Sequence, residues 1–173
     1  GVQGGFSVPY TTNNGTTTAA DYVDNDGTLT FSGNAGEVQT ITVATVPDNL
    51  VELDETFTVA LGAIAGPAGV TTAGSPQTGT ITNDDAATVS LAGNVTQAEN
   101  LTPQVFTVNL SNPVDVAVTV VFSTSNGTAT TADNDYTGIA GQTVTFAANT
   151  TTAQTVNVTI VNDVKVETDE LYF

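Results

Sequence analysis

The sequence is notable first for what it does not contain. It has no cysteine, histidine, tryptophan or methionine, and Lys165 is its only lysine or arginine. Without cysteine and histidine there is no disulfide, no thiolate or imidazole zinc site, and no Ser-His-Asp or Cys-His nucleophile. Eighteen acidic residues against one basic residue give a formal net charge of −17. That field repels a phosphate backbone, which excludes nucleic acid as a direct partner, and it disfavours anionic membrane surfaces. Apolar runs are only a few residues long, too short to span a bilayer. No charged segment followed by an apolar one opens the chain, so no signal peptide is expected within it. What remains is 173 residues, 39 % hydrophobic, enough to bury the core of one or two domains.

Thr, Val, Asn, Gly and Ala dominate that remainder. A chain with one lysine and no arginine offers trypsin-like proteases almost nothing to cut. This suits a secreted bacterial protein at the cell surface, although the absence of cysteine fits a cytosolic protein equally well.

Apolar residues alternate with Thr, Ser and Asn at period two, the pattern of strands with one buried face. Examples are Thr28–Phe31, Thr40–Val43, Phe57–Leu61, Val105–Leu110, Val116–Val120 and Val156–Ile160. Asn-Gly, Asp-Gly, Ala-Gly and Asn-Pro pairs between them read as hairpin and loop signals. Together they predict an all-β chain of antiparallel sandwiches.

The pattern occurs twice. Asn14-Gly15-Thr16, Asp21-Tyr22, Thr28–Phe31, Asp48, Glu52 and Asp54-Glu55 return as Asn126-Gly127-Thr128, Asp135-Tyr136, Thr143–Phe146, Asp163, Glu167 and Asp169-Glu170. The offset is 115 from Phe31 to Phe146, 112 at the Asn-Gly pair and 114 at Asp-Tyr, so length changes fall in loops. A unit of this size is a whole domain. The expected division is 1–86, lacking its opening strands, and 87–173, lacking its closing strand, as in a piece of a longer tandem array. The other arrangement open to the sequence is one permuted domain carrying an extra half.

Acidic residues gather in loops: Asp21, Asp24 and Asp26, then Asp48, Glu52, Asp54 and Glu55, then Asp84 and Asp85; in the second copy Glu99, Asp133 and Asp135, then Asp163, Glu167, Asp169 and Glu170. Loops at one end of a sandwich lie together, and several carboxylates converging there repel one another unless a cation neutralises them. A hard divalent ion is the natural occupant, and calcium suits flexible loops better than magnesium. A merely solvated acidic surface is the other reading of the same residues. The spacing Asp-x-x-x-Glu-x-x-Glu, unchanged at Asp48/Glu52/Glu55 and Asp163/Glu167/Glu170 while the intervening residues diverge, favours the ion.

These motifs, with Gly79-Thr80-Ile81-Thr82-Asn83-Asp84-Asp85, resemble the Calx-β repeat over nearly the whole chain. The resemblance implies seven-stranded immunoglobulin-like sandwiches binding Ca2+ at one loop pole. Carried over by position, it places calcium ligands at Asp21, Asp48, Glu52, Glu55, Asp84 and Asp85, and in the second copy at Glu99, Asp135, Asp163, Glu167 and Glu170. Pro47 and Asn162 stand where sites that bind several ions often carry a further acid, so fewer or weaker ions are expected. Lys165, between Asp163 and Glu167, reads as an exposed partner of those acids or as a partial substitute for a cation; the first copy has Leu50 at that place.

Other motifs carry less. Asp24-Asn25-Asp26-Gly27 copies the middle of an EF-hand loop, but Tyr22 and Gly33 would occupy the first and twelfth ligand positions, so a hairpin turn is expected instead. Asn-x-Ser/Thr at Asn14, Asn94, Asn100, Asn109, Asn126, Asn149 and Asn157 is frequent by composition alone. Runs such as Thr16–Thr18 and Thr150–Thr152 fit exposed β-prone segments more simply than an ice- or glycan-binding array. Most phenylalanines sit at inward positions, leaving no sugar-stacking platform. No enzyme is expected. The functional expectation is a calcium-stabilised structural repeat of a large extracellular, cell-surface adhesin, whose partners are neighbouring repeats and, at most, a surface glycan or protein. A regulatory calcium sensor and a glycan-, ice- or protein-binding module are the alternatives.

Overall fold

A computed structural model describes residues 1–173. It has nine strands, no helix, and only antiparallel ladders between strands. By internal contacts it divides into two compact units, residues 1–48 with 53–84 and residues 49–52 with 85–173.

The first unit is one sheet, ordered β2-β1-β3-β4, from β1 (Phe6–Asn14), β2 (Gly27–Phe31), β3 (Glu55–Leu61) and β4 (Gln77–Ile81). Its register sets Val8 opposite Leu29, Thr12 opposite Val59, and Phe57 opposite Gly79. One sheet buries little. Val8 and Tyr22 are its buried apolar side chains, with Thr12, Thr17 and Asp21 buried beside them. The Phe6 and Phe31 rings stack at 4.7 Å, and those of Tyr22 and Phe57 at 4.9 Å.

The second unit has two sheets, β5-β6-β9 and β7-β8, from β5 (Val89–Leu91), β6 (Gln104–Leu110), β7 (Val118–Phe122), β8 (Gln142–Phe146) and β9 (Gln154–Val158). Val108 and Leu110 of β6, Val144 and Phe146 of β8 and Val156 of β9 share one core, with Val118, Val120 and Phe122 packed on it. Here alternation does what it predicts: two sheets close their apolar faces on each other. Phe146, Val156 and Val158 are wholly buried, each stabilising the fold by about 1.5–3 kcal/mol relative to exposure.

Three expectations are corrected. Thr40–Val43 forms no ladder. Its counterpart β9 pairs with β6, and the first unit contains no counterpart of β6, so a β-prone segment has nothing to pair with. Asp26-Gly27 is not a hairpin tip: residues 15–26 connect β1 to β2, and Gly27 opens β2 opposite Tyr10. Asp26 Oδ1 instead accepts the Thr12 N–H at 2.9 Å, and Asp24 accepts the Thr12 hydroxyl. Thr17 is not exposed either; it is buried and donates its hydroxyl to the Thr56 carbonyl at 3.0 Å.

Candidate metal centre

The same corner is built in both repeats. The Tyr22 hydroxyl donates to Asn14 Oδ1 at 2.8 Å, and the Tyr136 hydroxyl to Asn126 Oδ1 at 2.8 Å. Each tyrosine ring stacks on an aromatic ring two residues beyond a glutamate: Tyr22 on Phe57, and Tyr136 on Tyr172 at 4.3 Å. The Thr16 hydroxyl accepts the Thr56 N–H at 2.8 Å, and the Thr128 hydroxyl accepts the Leu171 N–H at 2.9 Å. These bonds hold the residue after Glu55 and after Glu170 against the Asn-Gly-Thr segment. The glycine is required by that approach: a Cβ on Gly15 would meet the Thr56 carbonyl oxygen at 2.6 Å, and on Gly127 the Leu171 carbonyl oxygen at 2.3 Å. Neither Asn-Gly pair has positive φ, so the dipeptide serves close packing and not a primed turn. Tyr172 also donates to Gln104, and burial, with Tyr136 nearby, pushes its phenol up to about 12.

The corner presents an aspartate to two glutamates. Asp21, Glu52 and Glu55 each bring a carboxylate oxygen within 4.8 Å of the others, and so do Asp135, Glu167 and Glu170. Each aspartate is oriented by a threonine to which the sequence assigned no part in the site. Thr18 donates its N–H and, at 3.0 Å, its hydroxyl to Asp21 Oδ2, and Thr130 donates its N–H to Asp135 Oδ2 at 2.6 Å. The repeated Asn-Gly-Thr stretch was the sequence signal for this support.

The surroundings of the trios differ. Asp21 is buried, and Glu52 and Glu55 are half-buried; Asp135 is half-buried, with Glu167 and Glu170 exposed. Burial pushes the Asp21 carboxyl up, but the Thr18 bonds and one with Glu55 outweigh it and hold it below its ordinary value. Glu170 is raised, first by lost hydration and then by repulsion from Asp135 and Glu167. Lys165 Nζ lies 3.4 Å from Glu167 Oε1, and that bond, with Asp163 and Asp133 adding attraction, holds the ammonium above its ordinary value.

The remaining expected ligands stand outside these trios. Asp48 and Asp84 are exposed and Asp85 is half-buried. Glu99 and Asp163 meet each other: Glu99 Oε1 accepts the Asp163 N–H at 2.9 Å, and Asp163 Oδ1 accepts the Lys165 N–H at 2.7 Å. Asp54 Oδ1 accepts the Asn83 N–H at 3.0 Å, tying the Asp-Glu loop to the end of β4.

The donor set fits a hard cation. Every charged donor is a carboxylate oxygen, three converge at each corner, and in the second trio repulsion from Asp135 and Glu167 helps to raise Glu170. Two all-β repeats, each gathering acids at the same backbone corner, define a class of tandem β modules with a cation-binding pole. The family model of the Calx-beta domain matches residues 1–86 and again residues 82–173, and the chain belongs to the Calx-beta family. Calx-beta domains are calcium-binding, non-catalytic modules. Two solved structures are similar: CBD12 from CALX1.2, 26 % identical, covering 96 % of this chain and 66 % of that one with a TM-score of 0.45; and the calcium binding domain CBD12 of CALX1.1, 26 % identical, covering 93 % and 65 % with a TM-score of 0.42. The chain thus spans just under two thirds of the length of either. No curated protein sequence matches it. No helix is long and apolar enough to cross a membrane.

Proposed function

We propose that this chain is a pair of calcium-stabilised structural repeats from the stalk or filament of a large, secreted bacterial cell-surface adhesin. The observation that carries the reading is the recurrence of one aspartate and two glutamates, within 4.8 Å, on the same corner of both repeats. Asp21, Glu52 and Glu55 would hold one ion and Asp135, Glu167 and Glu170 another, with Asp48, Asp84, Asp85, Glu99 and Asp163 available as further oxygen donors. Bound Ca2+ supplies the positive charge that lets these loops stay together. The protein's own part is to pin the aspartate through Thr18 or Thr130 and the glutamate backbone through Thr16 or Thr128. The chain has no thiol or imidazole nucleophile, which supports a non-catalytic role. A composition rich in Thr and almost free of tryptic sites supports an extracellular location, where millimolar calcium fills weak sites.

Calorimetry of the 173-residue chain tests the reading. A ligand held only by the folded state stabilises it by RT ln(1 + [L]/Kd), about 2.7 kcal/mol at a hundredfold excess over Kd. The melting temperature is expected to rise by several degrees between chelator and millimolar calcium, and Glu52→Gln with Glu55→Gln to remove the first repeat's share. An unchanged melting temperature would leave the acids as a solvated surface. Small-angle scattering separates stalk from sensor: saturation only at millimolar calcium fits the stalk, whereas a large change in dimensions at micromolar calcium would favour a regulatory sensor.

A further inference from the structure

The chain's only basic side chain stands at one of its two acidic trios. Lys165 Nζ pairs with Glu167 Oε1 at 3.4 Å, and Glu167 shares its trio with Asp135 and Glu170. The backbone fixes the lysine there: its N–H donates to Asp163 Oδ1 at 2.7 Å, and Asp163 in turn donates its N–H to Glu99. The charged groups that face the ammonium are Glu167, Asp163 and Asp133, all acidic. At the corresponding place the first repeat has Leu50, which carries no charge. We propose that Lys165 is a built-in counter-cation of the second trio, and that a divalent ion must displace it to bind. The proposal rests on the trios being calcium sites.

The pair is weak enough to be a competitor and not a lock. The lysine side chain is 52 % exposed and that of Glu167 33 %, so water and salt screen the attraction. Opening such a pair costs about a two- to fivefold loss of affinity. The second repeat therefore keeps its loop acids partly neutralised when calcium is scarce, at the expense of tight binding when calcium arrives.

The test is calcium titration calorimetry at fixed pH on the 173-residue chain with Glu52→Gln and Glu55→Gln silencing the first trio. Adding Lys165→Gln is expected to tighten the remaining binding step about two- to fivefold. In the unsubstituted chain the single lysine gives one side-chain ammonium resonance, and calcium is expected to shift it as the pair with Glu167 opens. Unchanged or weaker binding on Lys165→Gln, or a lysine resonance that ignores saturating calcium, overturns the displacement while leaving the calcium sites standing. No calcium binding by any form, the unsubstituted chain included, overturns both.

Discussion

In the first repeat the trio's aspartate is buried and hydrogen-bonded to Thr18 and Glu55; in the second it is half-buried, its glutamates are exposed, and a lysine neutralises one of them. Yet the Asn-Gly-Thr, Asp-Tyr and Glu segments that position the acids are bonded alike in both, down to the same 2.8 Å Tyr–Asn contact. The cores differ in the opposite sense. The second unit closes two sheets over an apolar centre, and the first exposes much of one sheet. Duplication has thus preserved the corner, which depends on local bonds, while burial and charge around it have diverged.

The largest break in this comparison should come from the cores. Phe146→Ala empties a fully buried site and is expected to cost about 3–5 kcal/mol. Its counterpart Phe31 is half-buried and stacked on Phe6, so Phe31→Ala should cost clearly less, on the order of 1–2 kcal/mol. Urea unfolding of the two variants measures the difference, and equal losses would mean that the first unit has a core the single sheet does not reveal.

The corner should break similarly in both repeats. A methyl on Gly15 or Gly127 strikes a backbone carbonyl oxygen, and each Gly→Ala substitution is expected to destabilise by about 1–3 kcal/mol. Each should also weaken calcium binding in its own repeat, because the displaced segment carries Glu55 or Glu170. Thermal melts with and without calcium would show it; a loss confined to one repeat would argue that the two corners are not equivalent.

The smallest effect distinguishes the loops between the corners. Glu37 accepts the N–H groups of Ser32 and Gly33 and the Ser32 hydroxyl, which hold its carboxyl below the ordinary value of 4.5; the second repeat has Thr152 at that place. A carboxyl depressed on folding stabilises fully above its unfolded value, and that contribution is lost as pH falls through the folded one. Wild type should therefore exceed Glu37→Gln slightly in melting temperature at pH 7, and the gap should close below about pH 4.5. A gap that does not narrow as pH falls below about 4.5 would assign the effect to packing and not to charge.

Much of this was legible in the residues. Thr28–Phe31, Phe57–Leu61 and Val105–Leu110 lie in β2, β3 and β6, because alternation along a strand is a local property that burial of one face enforces. Two further runs slid by two residues, as strand ends do: β7 begins at Val118 and β9 ends at Val158. Thr40–Val43 failed because a strand is made by its partner, and the partner lies outside any local window. Asp24, Asp26 and Asn25 read as a turn, yet they hold Thr12 and Tyr10 across the β1–β2 connection.

By itself the sequence determined the all-β class, the twofold repeat, the sign of the surface charge and the oxygen-only chemistry open to any bound ion. Each follows from residue type and short-range period. Only the tertiary structure decided that Asp21 meets Glu52 and Glu55, that Thr18 and Thr130 aim the aspartates, and that the single lysine sits on the second trio and not the first. Those are distances between segments far apart in sequence, set by how strands pair and how Tyr22 and Tyr136 pack, and no pattern along the chain encodes a distance of that kind.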